Sequence, residues 1–390
     1  MERLWRAFYI TKPTSSSTNF HETLANWGGD VYKFLFMKSD PTWPRELVRW
    51  FEREHRPMPW RSDPSPYKVW VSEVMLQQTQ VITVVPYFDR FVKRFPSFQN
   101  LAAADLQSVL KLWEGLGYYS RARHLHQAAK MITQKYGGEL PRTADELRQF
   151  PGVGPYTAAA IASIAFGEPI PSVDGNLLRV CSRLWGLETP MRAKSLADEI
   201  RGRLTPMIKT VNPSYFNQAM MEMGALICTP RNPLCDKCLI SKYCVALASG
   251  RVHELPVVER AKKSPHYRIG VGVIWKRGKI LIARRHERQM LGGLWEFPGG
   301  KQLKREALSE TVMREVVEET GVQCQVESAY VTVKQTYSHF KITLTAFKCR
   351  WLSGRAQANA SAQLKWILPS ELRHYPMPRA NRRIVEAMMR

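Results

Sequence analysis

The sequence predicts a multidomain protein, an all-α domain followed by an α+β domain. Three observations carry this. At 390 residues and 44% hydrophobic content, the chain exceeds one ordinary domain and can build two cores. From about 41 to 248, apolar residues recur at three-four spacing in "VWVSEVML", "VVPYFDRFVKRF", "LQSVLKLWEGL", "RARHLHQAAKMI" and "TAAAIASIAF". From 267 the pattern becomes "YRIGVGVIWKRGKILIARR", two strands around a Lys-Arg-Gly-Lys turn, with "KITLTAFKCRWL" as a later strand.

The remaining segments join or flank these domains. Residues 1–40 contain "KPTSSST" and little periodicity, so they are expected to be a poorly ordered extension. Glu2, Glu22 and Asp30 argue against an organelle transit peptide there. Residues 249–266, "SGRVHELPVVERAKKSPH", are rich in charge and proline and read as the linker between 41–248 and 267–390. Lys plus Arg number 57 against 34 Asp plus Glu, a net charge of +23 that attracts polyanions, nucleic acid foremost. No apolar run reaches the roughly 18 residues of a bilayer span, so a soluble protein with no membrane partner is expected.

Two motifs in the helical half carry chemistry. In "LRQFPGVGPYTAAAIASIAF" (about 148–166) a helix ends, Gly152 and Gly154 open a tight turn, and Pro155 starts an Ala-rich helix. Backbone amides exposed at such a turn can seat a DNA phosphate without reading sequence, the helix-hairpin-helix pattern, although a plain αα-corner has the same signature. The second motif is Cys228, Cys235, Cys238 and Cys244, spaced C-x6-C-x2-C-x5-C over 228–244. Four thiolates in one loop suit a metal site. With a single close C-x2-C pair, the spacing favours a 4Fe-4S cluster over structural zinc. A disulfide framework belongs to small secreted chains, and this one is long with no signal-peptide pattern. Cys181, Cys324 and Cys349 are expected to be ordinary buried thiols.

Two carboxylates stand out. Glu73, in "VWVSEVML", has no Lys or Arg within four residues, so burial on a helix face would raise its pKa and keep it protonated near neutrality. A positioned acid of that kind can protonate a leaving base. Asp174, in "SVDGNLLRV", sits where a helix N-cap is expected.

The hairpin, the Asp in "PSVDGN" and the four-cysteine loop together resemble the endonuclease III superfamily of base-excision DNA glycosylases. "YKVWVSEVMLQQTQV" and "LWEGLGYYSRAR" resemble the MutY family within it, and the match runs through most of 41–380. That family consists of adenine DNA glycosylases acting where adenine pairs with 8-oxoguanine. The resemblance implies Glu73 as the general acid, and Asp174, supported by Asn176, as the carboxylate stabilising the cationic sugar. Tyr156 lies where bifunctional relatives carry a Schiff-base lysine, which implies base removal without strand cleavage. Gln78 and Tyr118 resemble the wedge residues that enter the duplex, while Trp60 and Arg61 resemble pocket-wall and DNA-side residues. Trp113, Leu116 and Tyr119 are expected in the core. The implied partner is double-stranded DNA with A opposite 8-oxoguanine or G, bound by a monomer during base excision repair. Its place would be the bacterial nucleoid and cytoplasm, or the nucleus or an organelle in a eukaryote.

The α+β half carries "GGKQLKREALSETVMREVVEETGV", in which Gly300, Glu306, Arg314, Glu315, Glu318, Glu319 and Gly321 complete a Nudix box. "LGGLWEFPGGK" and "TYSHFKITL" resemble the MutT-like domain with which MutY proteins inspect 8-oxoguanine. Tyr337, Ser338 and His339 would then read the lesion, Ser338 through its hydroxyl. Leu303 and Arg305 depart from the Glu and Gly that hydrolases often show. Mg2+ at Glu315, Glu318 and Glu319 is the metal reading of the box, and an ordinary charged helix face, pointing away from DNA and paired with local Arg and Lys, is the other. Two further activities stay open at this point. One is a bifunctional endonuclease III-type glycosylase/AP lyase, and the other is 8-oxo-dGTP pyrophosphohydrolase activity in the C-terminal domain.

Overall fold

The computed structural model describes residues 42–259, 264–337 and 339–389. The extension expected over 1–40 and the middle of the expected linker lie outside the described residues. The helical part contains α1 (Trp43–Glu54), α2 (Pro59–Ser62), α3 (Pro66–Leu76), α4 (Val81–Arg94), α5 (Phe98–Ala103), α6 (Leu106–Trp113) and α7 (Ser120–Tyr136). It continues with α8 (Ala144–Leu147), α9 (Pro155–Phe166), α10 (Gly175–Trp185), α11 (Lys194–Ile208), α12 (Pro213–Leu226) and α13 (Val245–Ala248).

These helices build two adjoining cores. One gathers α3 to α9 around Trp70, Phe88, Phe91 and Trp113, with Trp70 edge-on to Phe98 and Phe150 at 5.6 and 5.4 Å. The other packs α1, α10, α11 and α12 around Leu47, Leu204, Phe216 and Met223, and the cysteine loop lies against it. Trp113, Leu116 and Tyr119 are all buried, as expected. Between α8 and α9 the chain makes the hairpin turn. Gly152 has φ +75°, and a Cβ there would stand 2.8 Å from the His124 Cβ, so only glycine fits. Gly154 has φ −84° and open space beside it, serving as the N-cap that leaves the first amides of α9 unblocked.

The second part contains β1 (His266–Lys276), β2 (Lys279–Arg284), β3 (Trp295–Glu296), β4 (Gly299–Lys301), α14 (Leu308–Thr320), β5 (Gln323–Thr336), β6 (Lys341–Ser353), β7 (Gln363–Ile367) and α15 (Arg379–Met388). The sheet order is β3-β2-β1-β6-β5, with β4 on β1 and β7 on β2. It is a mixed sheet: β1 and β6 run parallel in register from His266↔Lys341 to Trp275↔Arg350, and the other pairs are antiparallel. α14 packs directly on β1. Gly270 permits this approach, because a Cβ there would come within 2.9 Å of Val312 Cγ2.

The two parts touch. Leu294 is fully buried in the helical core, and Gln107 donates to the Gly293 carbonyl at 2.9 Å while accepting the Trp295 indole N–H at 2.8 Å. The start of the expected linker is also packed: Val252 and Leu255 are buried against Ala246, and Met191 N–H donates to the Val257 carbonyl at 2.9 Å. Three apolar residues spaced irregularly among charges suffice for that packing without any helical or strand period.

Candidate active site and cluster loop

α3 is capped by Ser65, whose hydroxyl accepts the Lys68 N–H, and begins with Pro66. Val69 to Met75 are all buried, so α3 runs through the interior and carries Glu73 with it, 5% exposed. Burial raises the Glu73 pKa to about 7, opposed by a hydrogen bond from Tyr156, while nearby Asp174 pushes it up and Arg61 pulls it down. Tyr156, in the first turn of α9, donates its hydroxyl to Glu73 Oε2 at 3.0 Å. The hairpin helix thus delivers its aromatic side chain to a residue 83 positions earlier.

Asp174 caps α10, its Oδ1 accepting the Leu177 N–H at 2.7 Å and its Oδ2 the Asn176 side-chain amide at 2.9 Å. Burial raises its pKa, and these donors, which favour the anion, oppose that. The same region therefore holds two carboxyls in different settings, Glu73 buried and Asp174 half-buried. Glu73 has one side-chain hydroxyl, whereas Asp174 has a helix N-terminus. Such contrast separates a proton donor from an anion.

From Asp174 a chain of polar contacts leads to the cysteine loop. Asn176 Oδ1 accepts from Arg179 Nη2 at 2.9 Å, and Arg179 Nε donates to the Cys228 carbonyl at 2.8 Å. One turn on, Arg183 is 2% exposed and donates to Cys228 Sγ at 3.3 Å, the Thr229 carbonyl at 2.7 Å and the Leu255 carbonyl at 2.8 Å. Cys228, Cys235, Cys238 and Cys244 line one cavity with Arg183 and Leu234. Burial first, and the neighbouring thiols after it, raise the pKa values of Cys235, Cys238 and Cys244.

Gln78 and Tyr118 both have positive φ, +57° and +48°, an uncommon backbone state for such residues. Both are exposed. Arg121 joins their loops. Its buried guanidinium donates to the carbonyls of Val74, Met75 and Gln77 at 2.9, 2.6 and 2.6 Å, and on the other side to the Gly117 carbonyl at 3.1 Å. Burial lowers its pKa to about 10. Arg61, on α2, reaches across to α12. It donates to Gln218, the Arg56 carbonyl and Glu222, so its nitrogens are committed inside the protein. Burial opposes ionisation of Glu222, yet Arg56 and Arg61 hold it down at about 2.

In the second part, Tyr337 stacks on Phe340 at 4.9 Å and closes the β5–β6 turn through its N–H to the Phe340 carbonyl. His339 is exposed in that turn, and Ser338 lies outside the described residues. In the box, Arg314 donates to Glu306 at 2.8 Å, Glu315 at 2.9 Å and Glu318 at 3.2 Å, holding Glu306 at about 2. Glu319 accepts the Gly299 N–H at 3.1 Å, and burial raises its pKa to about 7. Among the described residues these carboxylates form no group of three or more fit to hold a metal ion. The local-pairing expectation therefore describes Glu315 and Glu318, and a Mg2+ ion there would have to displace Arg314.

Residues 71–205 match the HhH-GPD superfamily of base excision DNA repair proteins, 228–244 the iron-sulfur binding domain of endonuclease III, and 270–387 the NUDIX domain. Adenine DNA glycosylase of Rattus norvegicus is 33% identical, over 87% of this chain and 76% of that protein. This chain belongs to the adenine DNA glycosylase family. The Homo sapiens adenine DNA glycosylase is 34% identical over 77% of this chain, and the match spans 65% of the human protein's length. A solved thermostable thymine-DNA glycosylase covers 53% of this chain and 95% of its own, at 28% identity and a TM-score of 0.49.

For this family member, the cysteine loop is an iron-sulfur binding domain, and its four-thiol cavity beside Arg183 fits such a group. Among the described residues no helix is long and apolar enough to cross a membrane. The structure brings Glu73, Tyr156, Asp174 and Asn176 to one region. Sequence reasoning passed over Arg121, Arg179, Arg183 and Glu222. Arg179 and Arg183 stand four apart on α10 just after Asp174, a visible pairing, whereas Arg121 and Glu222 acquire meaning only from distant carbonyls and arginines.

Proposed function

We propose that this protein is a monofunctional glycosylase that hydrolyses the N-glycosidic bond of adenine opposite 8-oxoguanine, or opposite G, in double-stranded DNA. The observation that carries the reading is the Glu73–Tyr156 contact near the capped Asp174. Protonated Glu73 donates to a ring nitrogen of the extruded adenine, the C1′–N9 bond breaks, and the bonding electrons leave with the base. Asp174, whose donors favour its anion against the burial that raises its pKa, faces the positive charge left on the sugar. Water adds to C1′ and gives its proton to the Glu73 carboxylate, restoring the acid. No amine stands at 156 to attack the sugar, which supports base removal without strand cleavage.

Gln78 and Tyr118, in loops that Arg121 ties together, enter the stack and offset the cost of extruding the base, a few kcal/mol. The unblocked amides after Gly152 and Gly154 seat a phosphate. Tyr337, Ser338 and His339 meet 8-oxoguanine, so Ser338→Ala weakens the preference for A opposite 8-oxoguanine over A opposite G. The cluster is of the 4Fe-4S type and braces 228–244. This reading rests on the spacing, with one close C-x2-C pair, and on the four thiols lining one cavity. The protein acts as a monomer.

The test is a duplex with one A opposite 8-oxoguanine. Strand breakage at the A that depends on added alkali supports the reading. Breakage without alkali, with a borohydride-trapped covalent complex, defeats it.

A further inference from the structure

We propose that the C-terminal α+β part sets the conformation of the wedge loop through a latch made by Glu114, Arg382 and the backbone of Met377, with Glu114 and Arg382 as positioning residues. The inference rests on the reading of Tyr118 as a wedge. The loop Gly115–Tyr118 joins α6 to α7, and both of its ends are fastened to the same segment of the other domain. At the first end, Glu114 Oε1 accepts from Arg382 Nε at 2.9 Å, Arg382 Nη2 at 2.6 Å and the Met377 N–H at 3.0 Å. At the second end, the Tyr119 hydroxyl donates to the Met377 carbonyl at 3.4 Å and accepts the Gly115 N–H at 3.0 Å. One backbone unit thus spans the loop's two ends.

The latch is fixed from behind. Arg382 also donates to the carbonyls of Tyr375 and Leu372 at 2.7 and 3.2 Å, and Met377 is fully buried. Glu114 Oε2 takes Lys111 Nζ at 2.5 Å, so the carboxylate has cations on both oxygens. Its side chain is 15% exposed and that of Arg382 21%, where a charge-assisted pair is weakly screened.

The loop needs such support. Gly115, Gly117 and Tyr118 have φ of +96°, +81° and +48°, and a tyrosine in that region persists only when its surroundings impose it. Arg121 holds Gly117 from the glycosylase side, and the latch holds Glu114 and Tyr119 from the other. Docking of the α+β part is therefore coupled to presentation of Tyr118. An undocked domain leaves the loop free to leave its strained state, and adenine extrusion then fails although the acid is intact.

The experiment uses the full chain and a duplex with A opposite 8-oxoguanine and 2-aminopurine beside the A. Arg382→Met is expected to keep duplex affinity within about three-fold while lowering single-turnover excision and the unstacking signal by about ten-fold. Arg382→Lys should recover part of the loss. Tyr118→Ala added to Arg382→Met should cost little more, since both remove one function. Unchanged excision in Arg382→Met, or fully additive losses, would overturn the latch. Arg382→Met strands the Glu114 charge, so Glu114→Gln/Arg382→Met is measured too; wild-type excision by that pair would show that only the stranded charge mattered and would also overturn it. The wedge reading fails separately, if Tyr118→Ala alone excises at the wild-type rate.

Discussion

Tyr156 donates its hydroxyl to Glu73 across 3.0 Å, so the hairpin helix adjusts the acidity of a carboxyl on another helix. That hydrogen bond lowers the Glu73 pKa, against the burial that raises it to about 7. Tyr156→Phe should therefore raise it further, moving the alkaline fall of excision up by about one pH unit. Single-turnover rates from pH 5 to 9 test this. A limb that stays put, or moves to lower pH, would separate Tyr156 from the acid.

Glu73→Gln should bind the lesion duplex nearly as well as wild type and lose at least about 10²-fold in excision. It also has a signature in stability. A carboxyl raised from 4.5 to about 7 keeps its proton in the folded state over that window while the unfolded chain releases it, so stability falls as pH rises from 4.5 to 7. The penalty above pH 7 reaches about 3 kcal/mol at most. Glu73→Gln should thus melt higher than wild type at pH 8 and about equally at pH 4. Equal melting at both values would mean that Glu73 is not desolvated.

Asp174→Asn retains a capping oxygen for the Leu177 N–H and removes the charge. Stability should change by less than about 1 kcal/mol, because Asn and Asp cap comparably. Excision should fall by about 10²–10³-fold, the scale on which a preorganised electrostatic partner acts. If denaturation and excision declined together, the residue would be a cap only.

The cluster loop makes an analytical prediction. Protein purified anaerobically should be brown, with iron and sulfide in equal amounts. Stoichiometric zinc without iron would instead make it a mononuclear site.

Arg314 is paired with Glu306, Glu315 and Glu318, one cation shared by three carboxylates, so Mg2+ and a diphosphate would compete with it for those oxygens. Glu318→Gln should leave adenine excision nearly unchanged, and the full chain should not convert 8-oxo-dGTP to its monophosphate at an enzymatic rate. Pyrophosphate release that disappears in Glu318→Gln would establish a second activity.

The sequence by itself determined the division into a helical and an α+β part, the hairpin turn and the cysteine loop, and it singled out Glu73 and Asp174 as candidates. These are local features: three-four periodicity, a Gly-x-Gly-Pro turn, thiol spacing and a carboxyl in an apolar run need only neighbouring residues. Only the tertiary structure decided that β1 pairs in parallel with β6, that Tyr156 bonds Glu73, that Arg121 binds the Gln78 and Tyr118 loops together, and that Arg61 is spent on Glu222. Each of these joins residues far apart in the chain, and arginine shows no periodicity that reveals which carbonyl or carboxylate it will meet. The box shows the same limit. Its spacing fixed the loop and helix, but whether Glu315 and Glu318 face a metal ion or Arg314 depends on side-chain geometry that a motif does not encode.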